Sequence, residues 1–320
     1  MSALLSRYDI GELVSLREVG QGIENSNYFL TTTALNEPES TPAAHQQWVV
    51  TVYETLTASE VPFFLGVTSA LASAGLLVPA AVADTTGCFL QNLKDKPLAI
   101  FPRFAGDWLR TPSRESRVAV ADFIARMHQV AIPQALQRAQ PRNFCWMRAQ
   151  QLKLENKVPE AELKLIANAL QLLEAANDQF TACPTGIVHG DMFRDNVLFA
   201  EGRLSGVIDF YHACEDIKLF DLAVATNDWC AEPSGEIRWD DAAEMLAVYR
   251  QQRPLLSQEE ALWGHVMMLA ALRFWLSRLV SRHHKGYQSE ATQGDITKDP
   301  DEFKRKICCI ADHFGFRLGN

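Results

Sequence analysis

Apolar residues alternate with polar ones in short runs along roughly the first hundred positions, then recur at three- and four-residue intervals. Alternation puts successive side chains on opposite faces of a strand, whereas the longer interval marks one face of a helix. Residues 14–19, 28–30, 48–53, 81–83, 88–90 and 98–101 are therefore expected to be strands, with a short helix over 9–13. A longer helix is expected from a Ser59 cap, with Pro62 in its first turn, to a stop at Gly75. From Thr111 onward the helical interval dominates, over 112–130, 143–157 and 159–178, where Leu163, Ile166, Leu170 and Leu173 share a face. Ser257-Gln258-Glu259-Glu260 reads as a capping box opening a long helix, and Asp299-Pro300 opens the last one. The change of period places a boundary near 102–106, giving an N-terminal lobe 1–102 and a helical lobe 103–320.

One stretch breaks the helical pattern, IVHGDMFRDNVLFAEGRLSGVIDF over residues 187–210. Two short apolar runs flank a Glu201-Gly202 turn, so a small hairpin is expected with oxygen-bearing side chains at its mouth. His189, Asp191 and Asn196 have the spacing His-x-Asp-x-x-x-x-Asn of a kinase catalytic loop, and Asp209 stands where the next hairpin strand ends. Transfer of a γ-phosphoryl group needs a carboxylate to take the acceptor hydroxyl's proton and a metal to bridge the phosphates. Asp191 fits the base. Asn196 and Asp209 fit Mg²⁺, which takes a few hard oxygens from protein and the rest from phosphate and water. Singly each residue reads as an ordinary turn or strand end; the matched spacing around one hairpin points to phosphoryl transfer. Asp195 is the rival base, set aside because its place beside Asn196 departs from the pattern.

Upstream, Gly20-Gln21-Gly22-Ile23 lies between two expected strands. Glycine lets backbone N–H groups approach a phosphate closely, so this loop can fold over a nucleotide, although alone it reads equally well as a hairpin turn. A net charge of −9 argues against nucleic acid or an anionic membrane as the main partner. The start of the chain lacks a basic, then apolar, leader, and no apolar run approaches the ~20 residues of a membrane span. Seven cysteines without Cys-x-x-Cys spacing suit reduced thiols in the cytoplasm rather than a disulfide frame or zinc site. The His283-His284 pair has no spaced partner and reads as a solvated helix end.

The segments 189–199 and 207–210 resemble the aminoglycoside-phosphotransferase and choline-kinase superfamily, and Gly22–Tyr28 is similar to its homoserine kinase branch. The resemblance implies an α+β, bilobal protein-kinase-like fold with a small antiparallel-sheet N-lobe and a mainly helical C-lobe. It implies ATP and Mg²⁺, with Gly20, Gly22, Ile23, Asn27, Thr51, Phe101 and Arg103 on the nucleotide side. Thr51 stands where most of the superfamily has a Lys or Arg, as the homoserine branch also does, and Arg103 and Arg194 are candidates for the displaced cation. His189 and Asp221 are expected to support the catalytic loop rather than react.

For the acceptor the branch implies L-homoserine, whose carboxylate and ammonium need opposite charges. Arg273, within an apolar helix face, is assigned to the carboxylate and Asp228, beside Trp229, to the ammonium. The bland reading of Arg273 is a buried structural ion pair. Choline or ethanolamine, methylthioribose and aminoglycosides remain open as acceptors, choline through a box of Trp229, Trp263 and Trp275. A non-catalytic pseudokinase is the rival of another class, and either a monomer or a homodimer is compatible.

Overall fold

The computed structural model describes residues 2–19, 25–33, 45–283 and 299–319. Packing divides it into two compact units, Met1–Asp107 with Val130–Gln137 and Leu198–Tyr211, and the remainder. The first begins with α1 (Ser2–Leu5) and a sheet of β1 (Leu13–Val19), β2 (Asn25–Thr33), β3 (His45–Tyr53), β4 (Gln91–Leu93) and β5 (Lys96–Pro102). Its spatial order is β1-β2-β3-β5-β4, antiparallel throughout. Period-two patterning gives the sheet two cores. Val50, Val52, Leu98 and Ile100 pack on one face with Leu5, Tyr8 and Ile10, whereas Tyr53, Ala99 and Phe101 pack on the other with Val61 and Leu65. The latter two belong to α2 (Val61–Ser73), which ends at Gly75 with φ +81° and a Leu76 N–H to Leu71 O bond.

Three local expectations for this unit are corrected. Residues 9–13 are not helical, because Gly11 turns the chain at φ +86° with the Thr33 carbonyl 1.9 Å from where a Cβ would be. Ser59 does not cap α2; the Glu60 carboxylate reaches back instead and accepts both the N–H and the hydroxyl of Thr57. Residues 81–83 and 88–90 are not strands, since the Asp84 carboxylate collects the Thr86 and Cys88 N–H groups and the Gln91 amide into a local turn. The strand there is β4, joined to β5 through Lys94 and Asp95, both at positive φ as a tight primed turn requires. The glycines at 20 and 22, Ile23 and most of the polar insertion after Thr33 lie outside the described residues.

The second unit holds α3 (Arg114–Met127), α4 (Phe144–Leu154), α5 (Glu160–Ala175) and α6 (Asn177–Thr181), followed by β6 (Thr185–Val188). Ser113 and Asn143 cap α3 and α4 through their side-chain oxygens. The chain then runs through the catalytic-loop candidate into a hairpin, β7 (Val197–Ala200) and β8 (Arg203–Val207), whose Glu201-Gly202 turn has both residues at positive φ. From Leu198 this hairpin packs with the first unit: Phe199 pairs with Asp107, Val207 N–H bonds Leu77 O, and Gly206 lies under the Phe104 ring.

Back in the second unit, β9 (Cys214–Ile217) pairs with β6, and α7 (Leu219–Trp229), α8 (Trp239–Gln252), α9 (Ser257–His283) and α10 (Pro300–Phe314) complete the fold. Ser257 is inside α9 rather than its cap, and Glu259 bonds the Leu256 N–H instead. Among the described residues no helix is long and apolar enough to cross a membrane.

Candidate active site

The loop after β6 is held from behind by a buried carboxylate. Asp221, on the first turn of α7, accepts the N–H groups of His189 at 2.7 Å and Gly190 at 2.8 Å, one on each oxygen. Gly190 sits at φ +81°, and a Cβ there would lie 2.7 Å from the His212 carbonyl, so only glycine fits the bend. His189 is fully buried and its Nδ1 accepts the Asp191 N–H, which leaves the ring in the scaffold.

Past the bend, Asn196 Nδ2 donates to both the carbonyl oxygen and Oδ2 of Asp191, each at 2.8 Å. Asp191 is half-buried and Asp195 exposed. The fixed carboxylate at the loop is thus Asp191, with its orientation set by Asn196. The Asn196 amide has one orientation consistent with these bonds, leaving Oδ1 as a hard oxygen that suits Mg²⁺. In the first unit, Asp209 follows β8 at φ +65°, an uncommon backbone for a residue with a side chain and a mark of functional constraint. Near it the half-buried Tyr211 phenol is pushed up to about 12, by desolvation first and the Asp209 charge second.

Thr51 lies opposite Asn27 in the β2–β3 register, is buried, and donates its hydroxyl to Asn27 Oδ1 at 2.8 Å. Phe101 packs in the core on one face of the sheet with Tyr53 and Ala99. Arg103 stacks 3.9 Å over Phe29 and bonds Gln47, while Arg194 is taken by Asp228. Both candidate cations are therefore engaged with protein groups.

The acceptor-side expectations are not brought together as a pair. Asp228 accepts the Arg194 backbone N–H at 2.8 Å, its Nε at 3.0 Å and its Nη2 at 3.2 Å, so it anchors the catalytic loop to α7. Trp229 is fully buried, its indole N–H on the Met192 carbonyl at 3.2 Å. Arg273 is bonded to Asp216, which also receives the Gln140 amide, and stacks 4.5 Å over Phe220. The bland alternative for Arg273, a buried ion pair, is the one this geometry matches.

Sequence reasoning missed His128. It is fully buried between Tyr249, 2.8 Å from Nδ1, and Asp221, 3.2 Å from Nε2. Desolvation lowers its pKa, outweighing the pull of the Asp221 charge, so the ring is held neutral. No spacing signal marks a single histidine on a helix. Lys306 of α10 was missed too, though it is fully buried beside Glu302.

Comparison with known proteins places the chain in a family. A family model described as "Phosphotransferase enzyme family" matches residues 15–255. A homoserine kinase of Pseudomonas aeruginosa is 34% identical over 307 residues, covering 96% of this chain and 92% of the relative. One of Burkholderia mallei is 35% identical over 312 residues, with 94% and 90% covered. Among solved structures, a microcompartment-associated aminopropanol kinase superposes with a TM-score of 0.70 at 19% identity, covering 99% of this chain and 98% of its own. An amicoumacin kinase, in complex with AMP-PNP, Ca²⁺ and Ami, gives 0.67 at 15%, with 97% and 96% covered. At those identities the structures speak for the fold, an aminoglycoside-phosphotransferase-like kinase fold, and the sequence matches speak for descent. With the family model spanning most of its length and full-length relatives above 30% identity, the chain belongs to the phosphotransferase enzyme family.

Proposed function

We propose that the chain is a homoserine kinase, transferring the γ-phosphoryl group of ATP to the hydroxyl of L-homoserine to give O-phospho-L-homoserine and ADP. One observation carries the choice of acceptor: similarity to homoserine kinases covers 96% of the chain, well past residue 255 where the family match ends. The choline alternative is disfavoured because Trp229 and Trp275 are fully buried and Trp263 nearly so, packing the core rather than walling a box.

In this reading Asp191 takes the hydroxyl proton as the oxygen bonds to the γ-phosphorus and the bond to the β-phosphate oxygen breaks, then releases the proton to solvent. Asn196 holds the carboxylate in line, and the Asp221 bracket keeps the loop from shifting under it. Asn196 Oδ1 and the Asp209 carboxylate are the hard-oxygen donors for the metal. A Mg²⁺ ion held by these two residues would supply positive charge to offset the negative charge that gathers on the transferring group. On the nucleotide side, the residues proposed to bind ATP are Gly20, Gly22 and Ile23, assigned from sequence alone, together with Asn27, Thr51, Phe101 and Arg103. Thr51 brings a hydroxyl fixed by Asn27 instead of a cation. All seven cysteines are free thiols, which supports a cytoplasmic enzyme.

The test is ADP release with homoserine, choline, methylthioribose and an aminoglycoside as acceptors. Homoserine should give the highest kcat/KM. A better rate with another acceptor would overturn the substrate, and no acceptor-dependent ATP consumption with any would leave the pseudokinase reading standing.

A further inference from the structure

The catalytic loop rests on a cluster of charges unevenly matched among the described residues. Arg278 of α9 and Lys306 of α10 share one carboxylate, Glu302, the arginine at 2.9 Å and the lysine in direct contact. Both cations also lie over one aromatic ring, Phe303, at 4.2 and 4.7 Å. Lys306 is fully buried, and desolvation lowers its pKa against the opposing pull of Glu302 and Asp228. Asp228 is in turn bonded to Arg194. Counting Arg194, Arg278 and Lys306 against Asp228 and Glu302, three cations face two carboxylates. Extending outward through Asp299, which pairs with Arg282 and Arg305, adds one anion and two cations and raises the excess from one to two.

Two like charges held over one ring share a single carboxylate, which offsets only part of their positive charge. A desolvated cation in excess of its partners is costly until an anion joins it. The cluster also touches the reacting segment. The Phe193 ring, two residues after Asp191, meets Phe274 edge-on at 4.7 Å and Phe303 at 6.3 Å, and the Arg194 backbone N–H is bonded to Asp228. Arg278 keeps some exposure, at 14% of its side chain, so an anion has access to it.

We infer that Arg278, set over Phe303 and sharing Glu302 with the buried Lys306, receives the α-carboxylate of the amino-acid acceptor, the role that the sequence alone assigned to Arg273, with Lys306 as a positioning residue that acts through Glu302. This rests on the homoserine kinase reading and specifies its acceptor site. A guanidinium offers two parallel donors to a carboxylate, whereas an acceptor without a carboxylate leaves the excess charge unmet.

The experiment compares kcat/KM of the full chain for L-homoserine with that for 3-aminopropan-1-ol, which has the same amino-alcohol chain and no carboxylate, at saturating Mg-ATP. The parent should prefer homoserine strongly. Arg278→Met and Lys306→Met should each cut that preference about 10- to 100-fold, the range for one charge-assisted contact. The loss should fall mainly on the KM for homoserine, with the KM for ATP little changed. If both acceptors decline in parallel, the cations are structural and the inference is overturned. Should a methionine variant fail to fold, Arg278→Lys and Lys306→Arg keep the charge and are expected to move the preference several-fold; an unmoved preference overturns the inference equally. A parent that phosphorylates the amino alcohol but not homoserine would overturn the functional reading itself, and the carboxylate site with it.

Discussion

Asn196 turns its side-chain amide onto Asp191, giving one Nδ2 hydrogen to the backbone carbonyl and the other to the carboxylate, each at 2.8 Å. One side chain thus sets the direction of the candidate base while presenting its own Oδ1 elsewhere. Loss of Asn196 is therefore expected to disturb both proton transfer and metal use, whereas loss of Asp191 should disturb proton transfer alone.

Asp191→Asn should lower kcat by ~10²–10⁴-fold, the usual loss for a positioned base. Nucleotide affinity, measured by calorimetry with a non-hydrolysable analogue, should stay close to the parent's. Asp195→Asn, altering an exposed side chain, should turn over normally; the opposite pattern would show that the base is the neighbouring carboxylate.

Asn196→Ala and Asp209→Asn should each raise the Mg²⁺ concentration for half-maximal activity by at least ~10-fold, since even an outer partner of a metal ligand is worth that much. Asparagine is chosen at 209 because it tolerates the left-handed backbone found there. A metal titration indistinguishable from the parent's in both variants would remove these residues from the metal site.

Arg273→Met should destabilise the fold by about 3–5 kcal/mol in urea, because it strands the buried Asp216 carboxylate. Pairing it with Asp216→Asn should recover part of that loss. Full stability in the single variant, together with a raised KM for homoserine, would return Arg273 to the substrate.

Glu302 supplies a pH dependence with a definite sign. Burial alone would raise its pKa, but Lys306 and Arg278 outweigh it and hold the carboxyl at about 2, below the usual 4.5. The stabilisation is present above the unfolded value and is lost as pH falls from about 4.5 toward 2, with a limit of about 3 kcal/mol. Stability of the parent should fall across that window, and Glu302→Gln should flatten the slope there. A parent curve that matches the variant's between those pH values would refute the pairing.

The hairpin and its loop were legible because their signals are local. A base and an amide five residues apart, and a Glu201-Gly202 turn at positive φ, need no distant information to specify them. Thr57 and Glu60 were equally local, a Thr-x-x-Glu contact passed over in favour of Ser59. The acceptor side was not legible, because its charges are sorted by tertiary packing. Arg273 meets Asp216 across 57 residues, and the contact between Lys306 and Glu302 is on one helix but draws its meaning from Asp228 on another. Strand β9 was missed for a similar reason: its four residues carry no alternation of their own and exist as a strand only through pairing with β6.

The histidine between Tyr249 and Asp221 has a fixed hydrogen-bond sense. Asp221 is already accepting from two backbone N–H groups, so His128 must give it the proton on Nε2, and Nδ1 must then accept from the Tyr249 hydroxyl, whose oxygen accepts from Arg253. Direction therefore passes one way, from guanidinium to phenol to imidazole to carboxylate. A replacement at 128 has to give at one end and take at the other from the same short side chain. Asparagine and glutamine satisfy that grammar; lysine and arginine only give, glutamate only takes, and leucine does neither. A saturation library at this position, selected for growth that requires the enzyme to make its product, should consequently return a vocabulary of histidine and amides.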